Sequence, residues 1–286
     1  HGNLSLAYPS HWCIGEHVMT ISRSARLLLT ALLGVGLTFI YLPLFVVVAN
    51  SFNASKSFSW PPSQLTTEWW SKAATNTGVR EAIKWSLMAG LSATAIALLL
   101  GTALAFAVSR YSFFGRNTIS LLVVLPISLP GIVTGIALNN AFTKQLGIST
   151  GLFTVIVGHA TFCIVVVYNN AIARLNRMGT SLQEASMDLG ANGITTFRLI
   201  TLPNLASALF AGGLLAFGLS FDEIVVTTFT AGPGIQTLPI WIYNNLFRPN
   251  QAPIVNVVAA TLVVVSIIPI YISQRLSHDT TSGGRF

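Results

Sequence analysis

Residues Glu184–Asn204 read EASMDLGANGITTFRLITLPN. This stretch decides the fold because of its setting. It is a polar interval between two apolar runs, Leu152–Ala173 before it and Leu205–Thr228 after it. Each run is long enough to cross a hydrocarbon layer of about 30 Å at about 1.5 Å of rise per residue. The interval itself has helical grammar. Thr180-Ser181 places hydroxyls three or four positions ahead of Gln183 and Glu184, the pattern of a capping box. Glu184 to Leu189 reads as helix, and Gly190 is placed to end it, as a C-terminal glycine does. Ile194–Leu202 reads as a second short helix, and Pro203 opens the next apolar run. A plain surface hairpin would have no reason to hold Glu184-Ala185-Ser186, Gly190, Ile200 and Leu202-Pro203 at such spacing.

Working outward, the solvent for most of the chain is lipid. Its 286 residues are 52% hydrophobic and 8% charged, against about 25% charged in a soluble domain, and the mean hydropathy is +0.69. Six spans emerge, at Leu27–Ala49, Ala82–Val108, Ile119–Phe142, Leu152–Ala173, Leu205–Thr228 and Ile254–Ser273. The fold class is therefore all-α and polytopic, with the second span long enough to tilt. An even number of spans puts both termini on one side. With that side inside, nine Lys and Arg fall inside (Arg110, Arg116, Arg174, Arg177 and Arg198 among them) and six outside, which favours cytoplasmic termini. The formal charge of +7 is thus a topology signal. No soluble basic stripe alternates with aromatics, so nucleic acid is not an expected partner.

The transmembrane body is expected over residues 19–277, with a polar loop at 174–204 and a tail at 278–286. Residues 1–18 have no periodic pattern and precede Met19, and they read as a non-native or start-site extension. Cys13 and Cys163 are too few for a disulfide framework. His159 and Cys163 lie one turn apart, which gives two ligands and no third. No metal is expected, and His159 reads as a hydrogen-bonded structural histidine.

The third span carries Pro126 and Pro130, which kink helices, and Gly131 and Gly135, which let a second helix approach. Such a broken helix lines a pathway in some transporters and merely packs in others. Trp60, Trp69 and Trp70, in the segment after the first span, suit an interfacial belt or the face of an external partner. The fifth span holds Phe221-Asp222-Glu223 in an apolar setting. A charge near the bilayer centre costs about 2.5–3.5 kcal/mol on insertion scales, so such acids are functional candidates by default. Ser220, Glu223, Thr227 and Thr230 would form one polar stripe on a continuous helix, with Glu223 as its pathway charge. Asp222 would fall off that stripe and cap or pair with a neighbouring helix. A purely structural role for both acids is the alternative.

The Glu184–Pro203 spacing resembles the cytoplasmic EAA loop of the permease subunits of binding-protein-dependent ABC importers, with Ser186 where a second alanine usually stands. That resemblance implies the six-helix fold of type I importer permeases. It also implies an ATPase-coupling role for Glu184, Ala185, Ser186, Gly190, Ile200, Leu202 and Pro203. The chain has no Gly-x4-Gly-Lys-Ser/Thr loop. It is therefore expected to be no enzyme and to hold no cofactor, with ATP and Mg bound by a separate ATP-binding subunit dimer. The run Glu184–Asn204, with Ser220–Val226 and Leu125-Pro126 ahead of Leu129-Pro130-Gly131, is similar to the second permease of spermidine/putrescine-type importers. This implies a bacterial inner-membrane location, a heterologous second permease and an extracytoplasmic solute-binding protein. It further implies a cationic solute passing Asp222, Glu223, Ser220 and Thr227, with Tyr41, Trp241 and Tyr243 as candidate aromatic partners. Interfacial anchoring is the plainer reading of Trp241 and Tyr243. The alternatives are an ABC permease for another solute, a gradient-driven carrier or channel using Asp222 or Glu223, and a membrane enzyme.

Overall fold

The computed structural model describes residues 22–56, 61–62 and 64–282, with side chains of the last helix described to residue 267 and at Tyr271. The expectations for residues 1–18, Cys13 and Trp60 lie outside these residues. Two compact units meet at Val46 and Val47. The first contains the apolar helix α1 (Arg23–Asn50) up to Val46, with Pro43 inside it.

The second unit is helical throughout its spans. It runs α2 (Glu68–Thr75), α3 (Thr77–Arg110), α4 (Arg116–Ser128), α5 (Gly131–Asn140), α6 (Leu152–Met178), α7 (Ser181–Asp188), α8 (Gly193–Thr196), α9 (Leu202–Phe221), α10 (Val225–Thr230), α11 (Leu238–Asn245) and α12 (Ala252–Ser282). Lipid offers no water to spare backbone groups, so helices are the economical way across. Among the described residues, α1, α3, α6 and the helical stretch Gly193–Phe221 are each long and apolar enough to span a membrane. The expected third span is two pieces, α4 and Gly131–Gln145, which meet at a bend of 105°. Pro130 takes the residue before α5, where its missing N–H costs nothing. The expected sixth span lies within α12.

The core is α3, α6 and α9, and small residues set how closely they pack. Ala93 and Ala97 of α3, Ala160, Cys163 and Val167 of α6, and Ala216 of α9 form one buried cluster. A Cβ on Gly101 would come within 3.0 Å of the Ile164 carbonyl, and one on Gly212 within 3.2 Å of Asn170 Cβ. Cys163 fills this seam and gives its thiol proton to the Ala216 carbonyl at 3.3 Å. Dispersion across such close contacts holds helices together where lipid removes the hydrophobic drive.

The two ends of the bundle are closed differently. At the end bearing the polar loop, Arg110 donates to the carbonyls of Leu175 and Gly179, and Arg174 to that of Asn204. At the opposite end, Trp69, Val79, Leu238, Trp241 and Val255 form a buried cluster. Trp69 is therefore a core residue, its indole N–H donating to the Asn53 carbonyl at 3.0 Å, while Trp70 stacks on Phe52. Trp241 is also buried there, which overturns its reading as an interfacial anchor, whereas Tyr243 is exposed. On α2, Lys72 lies 2.6 Å from Glu68, and this hydrogen bond holds the Glu68 carboxyl below its ordinary range.

Gly131 and Gly135 admit α10, as their spacing suggests. A Cβ on Gly131 would sit 3.4 Å from Val225, and one on Gly135 only 2.6 Å from the Phe229 ring. Gly135→Ala is expected to destabilise the folded chain by about 1–3 kcal/mol through overpacking. Gly218→Ala, with nothing within 4 Å of the new carbon, should be neutral or slightly stabilising. Thermal unfolding in detergent compares them, and equal midpoints would refute the close contact.

Candidate functional site

The polar loop is a helical hairpin latched by side chains. Helix α7 starts without a side-chain cap, contrary to the capping-box expectation. The Thr180 carbonyl instead takes the N–H groups of Gln183 and Glu184 at 2.9 Å each. Its end is a Schellman turn: Gly190 N–H donates to the Met187 carbonyl and Ala191 N–H to that of Ser186. Gly190 sits at φ +84°, a left-handed conformation that glycine alone adopts without strain. The Asn192 side chain then starts α8, accepting from Thr195 N–H at 2.8 Å.

Two polar bridges fold α7 back. Gln183 Nε2 donates to Thr201 Oγ1 at 2.9 Å, and the hydroxyls of Ser186 and Thr196 are 3.0 Å apart. The residue that departs from the usual alanine is thus a latch. Its polar face turned in, α7 leaves Glu184, Ala185 and Asp188 exposed. Leu189 (90%) and Ile194 (81%) are also strongly exposed. Bare leucine and isoleucine on a polar loop mark a surface made to be covered. The sequence reading missed this pair, although both stand out as large apolar residues in a polar interval.

The second half of the loop is not a separate helix. It continues into the fifth span as one helical stretch, Gly193–Phe221. Pro203 is absorbed by a π-helical turn at Phe197–Thr201. Asn204 Nδ2 donates to the Ile200 carbonyl at 2.7 Å, and Phe197 packs edge-on against Phe106 of α3 at 5.2 Å. Ile200 is half-buried in the turn, while Leu202 and Pro203 face outward.

The fifth span then breaks at its acids, where a continuous helix was expected. Helix α9 ends at Phe221, and α10 begins at Val225. Glu223, expected as the pathway charge, accepts the Val226 N–H at 2.8 Å and so caps α10. Asp222, expected to cap or pair, is exposed: its backbone N–H closes α9 on the Gly218 carbonyl at 3.1 Å, and its carboxylate has no hydrogen bond or ion pair among the described residues. Ser220 and Thr227 are brought together, but around a buried residue. His159 Nδ1 is 2.7 Å from Ser220 Oγ, and Nε2 is 2.8 Å from Thr227 Oγ1. Thr230 turns its hydroxyl back to the Val226 carbonyl. Tyr41 is exposed on α1, in the other unit. Under the bend of the third span lies an apolar cleft of about 310 Å³, lined by Pro126, Leu129, Val133, Ala137 and Thr161 among others.

A multi-pass bundle with a latched helical loop and an acid-bearing break in one span is the build of a membrane transport component. Residues 97–281 match the family described as binding-protein-dependent transport system inner membrane component, and the chain belongs to that family. It is 34% identical over 246 residues to the spermidine/putrescine transport system permease protein PotC of Escherichia coli (strain K12), covering 86% of this chain and 92% of that protein. It is 32% identical over 251 residues to the putrescine transport system permease protein PotI of the same strain, covering 84% and 88%. In fold it is similar to a bacterial ABC transporter involved in the import of the acidic polysaccharide alginate, known from a crystal structure. That similarity has a TM-score of 0.68 at 16% identity and covers 91% of this chain and 98% of that one. Membership in a binding-protein-dependent family sets aside the gradient-driven carrier and the membrane enzyme.

Ser186→Ala removes the hydroxyl bridge to Thr196 and should weaken the hairpin by about 1 kcal/mol. Gly190→Val should cost more, because a β-branched residue at that φ is strained. Limited proteolysis of the loop should cleave both variants faster than the parent, Gly190→Val fastest. Equal cleavage of all three would refute the latch.

Proposed function

We propose that this chain is the permease subunit of an ATP-driven importer for polyamines such as putrescine and spermidine, working by alternating access. The observation that carries the reading is Asp222, an exposed carboxylate without a partner at a break in a membrane span. A carboxylate is costly in lipid and suits a solute with several ammonium groups. The names and coverage of the two Escherichia coli relatives support the same solute class.

In this reading a second, different permease completes the pore, and a solute-binding protein delivers the solute from outside. Two copies of an ATP-binding subunit hold ATP and Mg, and this chain holds no cofactor. Both termini and the polar loop face the cytoplasm of a bacterium, which the Lys and Arg bias supports. Glu184, Ala185 and Ser186 on α7, the Gly190 turn, and Ile200, Leu202 and Pro203 beyond it form the contact with the motor. The exposed Leu189 and Ile194 give that contact its apolar anchors. Glu223 acts through α10 as its cap, and Ser220 and Thr227 act from behind the break. Tyr41 is retained as a candidate aromatic partner of the solute.

Uptake of labelled putrescine and spermidine is measured in cells whose own copy is replaced by variants. Asp222→Asn should lower uptake about tenfold or more, the scale of one lost charge-assisted contact. Glu184→Ala should lower uptake while the subunits still assemble and hydrolyse ATP. Parental uptake by Asp222→Asn would remove this residue from the pathway.

A further inference from the structure

The sequence across the break is Phe221-Asp222-Glu223-Ile224-Val225, with neither proline nor glycine. Asp222 (φ −91°, ψ 0°) and Ile224 (φ −103°, ψ −46°) lie near the right-handed helical region. Nothing in the covalent chain forbids α9 and α10 from winding into one helix. The interruption is held by contacts: the Glu223 carboxylate caps α10 from within it, and others reach it from neighbouring helices.

The contact that bridges it is His159. This residue of α6 is fully buried and reaches Ser220 in the last turn of α9 and Thr227 in α10. The direction of each bond follows from one proton. The Thr227 hydroxyl donates to the Glu223 carbonyl at 2.8 Å. It must then accept from His159, so Nε2 carries the imidazole hydrogen and Nδ1 accepts from the Ser220 hydroxyl. A neutral imidazole thus joins both lips of the break in one directed chain.

The rest of α10 is fastened elsewhere. Asn139 of α5 donates to the Phe229 carbonyl at 2.6 Å, and Thr154 of α6 to that of Thr230 at 2.7 Å. These fix the far end of α10. Among the described residues, the hydrogen bonds that reach residues 220–227 from another helix are those of His159. A six-residue helix has little stability of its own, so the position of its near end depends on these bonds together with the packing of Val225 on Gly131 and of Val226 on Gly158.

We propose that His159 is a positioning residue for the solute site: by tying Ser220 to Thr227 it keeps the fifth span interrupted and the Asp222 carboxylate presented to a cationic solute. This rests on the reading of Asp222 as the solute-facing acid. With the tie removed, α9 and α10 are free to wind together, and Asp222 turns with them.

The test uses the complete transporter reconstituted in liposomes. His159→Gln keeps a polar side chain but cannot reach both hydroxyls, and Thr227→Val removes one arm only. With labelled putrescine, His159→Gln should raise the half-saturation concentration about tenfold, with maximal rate and solute-independent ATPase little changed. Thr227→Val should give a smaller rise, and His159→Gln added to Asp222→Asn no further loss. A second readout needs no solute: alkylation of Asp222→Cys by a small cationic maleimide, in a Cys13→Ser background with Cys163 buried. His159→Gln should slow that reaction about tenfold, as the side chain turns from its exposed position. An unchanged alkylation rate overturns the positioning role whatever the solute is. Slowed alkylation with parental putrescine uptake by Asp222→Asn upholds the positioning of the break and overturns the solute reading instead. A fall in maximal rate alone, in step with protein level, would make His159 merely structural and overturn the proposal.

Discussion

Every irregular turn of backbone inside a membrane must find its hydrogen bonds within the protein, and the arrangement of this chain follows from that constraint. Among the described residues, four departures from regular helix occur in or beside the spans: the 105° bend after α4, the π turn at Ala141–Gln145, the π turn before α9 and the break before α10. The last two are served by named side chains. Asn204 takes the Ile200 carbonyl beside the π turn. Glu223, Asn139 and Thr154 attend to the two ends of α10. The polar residues of the spans are therefore mostly occupied with the backbone. The Asp222 carboxylate is not so occupied, and it is exposed and charged.

Small residues supply the complementary half of the design. Gly101 and Gly212 let α3, α6 and α9 touch almost backbone to backbone, and Gly135 and Gly158 make room for the Phe229 and Val226 side chains of α10. Close approach brings donors such as His159 and Asn139 within reach of a neighbouring helix. Packing and polar bonding are in this sense one device, since neither bond could form across a wider seam.

Much of this was legible in the sequence because lipid simplifies the code. Long apolar runs announced the spans, and Gly190 announced the end of α7. The Gly131 and Gly135 pair announced a close neighbour, and the single histidine of the fourth span a buried polar bond. The failures share a physical cause. The break at Asp222 carries no proline or glycine, because the Glu223 cap and the bonds from His159 hold it in place of backbone propensity. Pro203 does stand in the first turn of α9, but the π turn before it joins α8 to α9 in one helical stretch that no start signal announces. Glu223 took the capping part expected of Asp222, because a periodicity argument assumes the helix whose absence matters. Trp241 and Trp69 read as surface anchors, since aromatic residues near span ends look alike whether a cluster covers them or not.

The unbroken stretch from Gly193 to Phe221 has 29 residues. At about 1.5 Å per residue it is a rod of about 43 Å. One end stands beside the exposed Leu189 and Ile194, and the other stops at the acidic break. A rod of that length is a lever, and a tilt of about five degrees at one end carries the other through about 4 Å. Mechanical work done on the loop would then reach Asp222 with no relay of small side-chain moves between them.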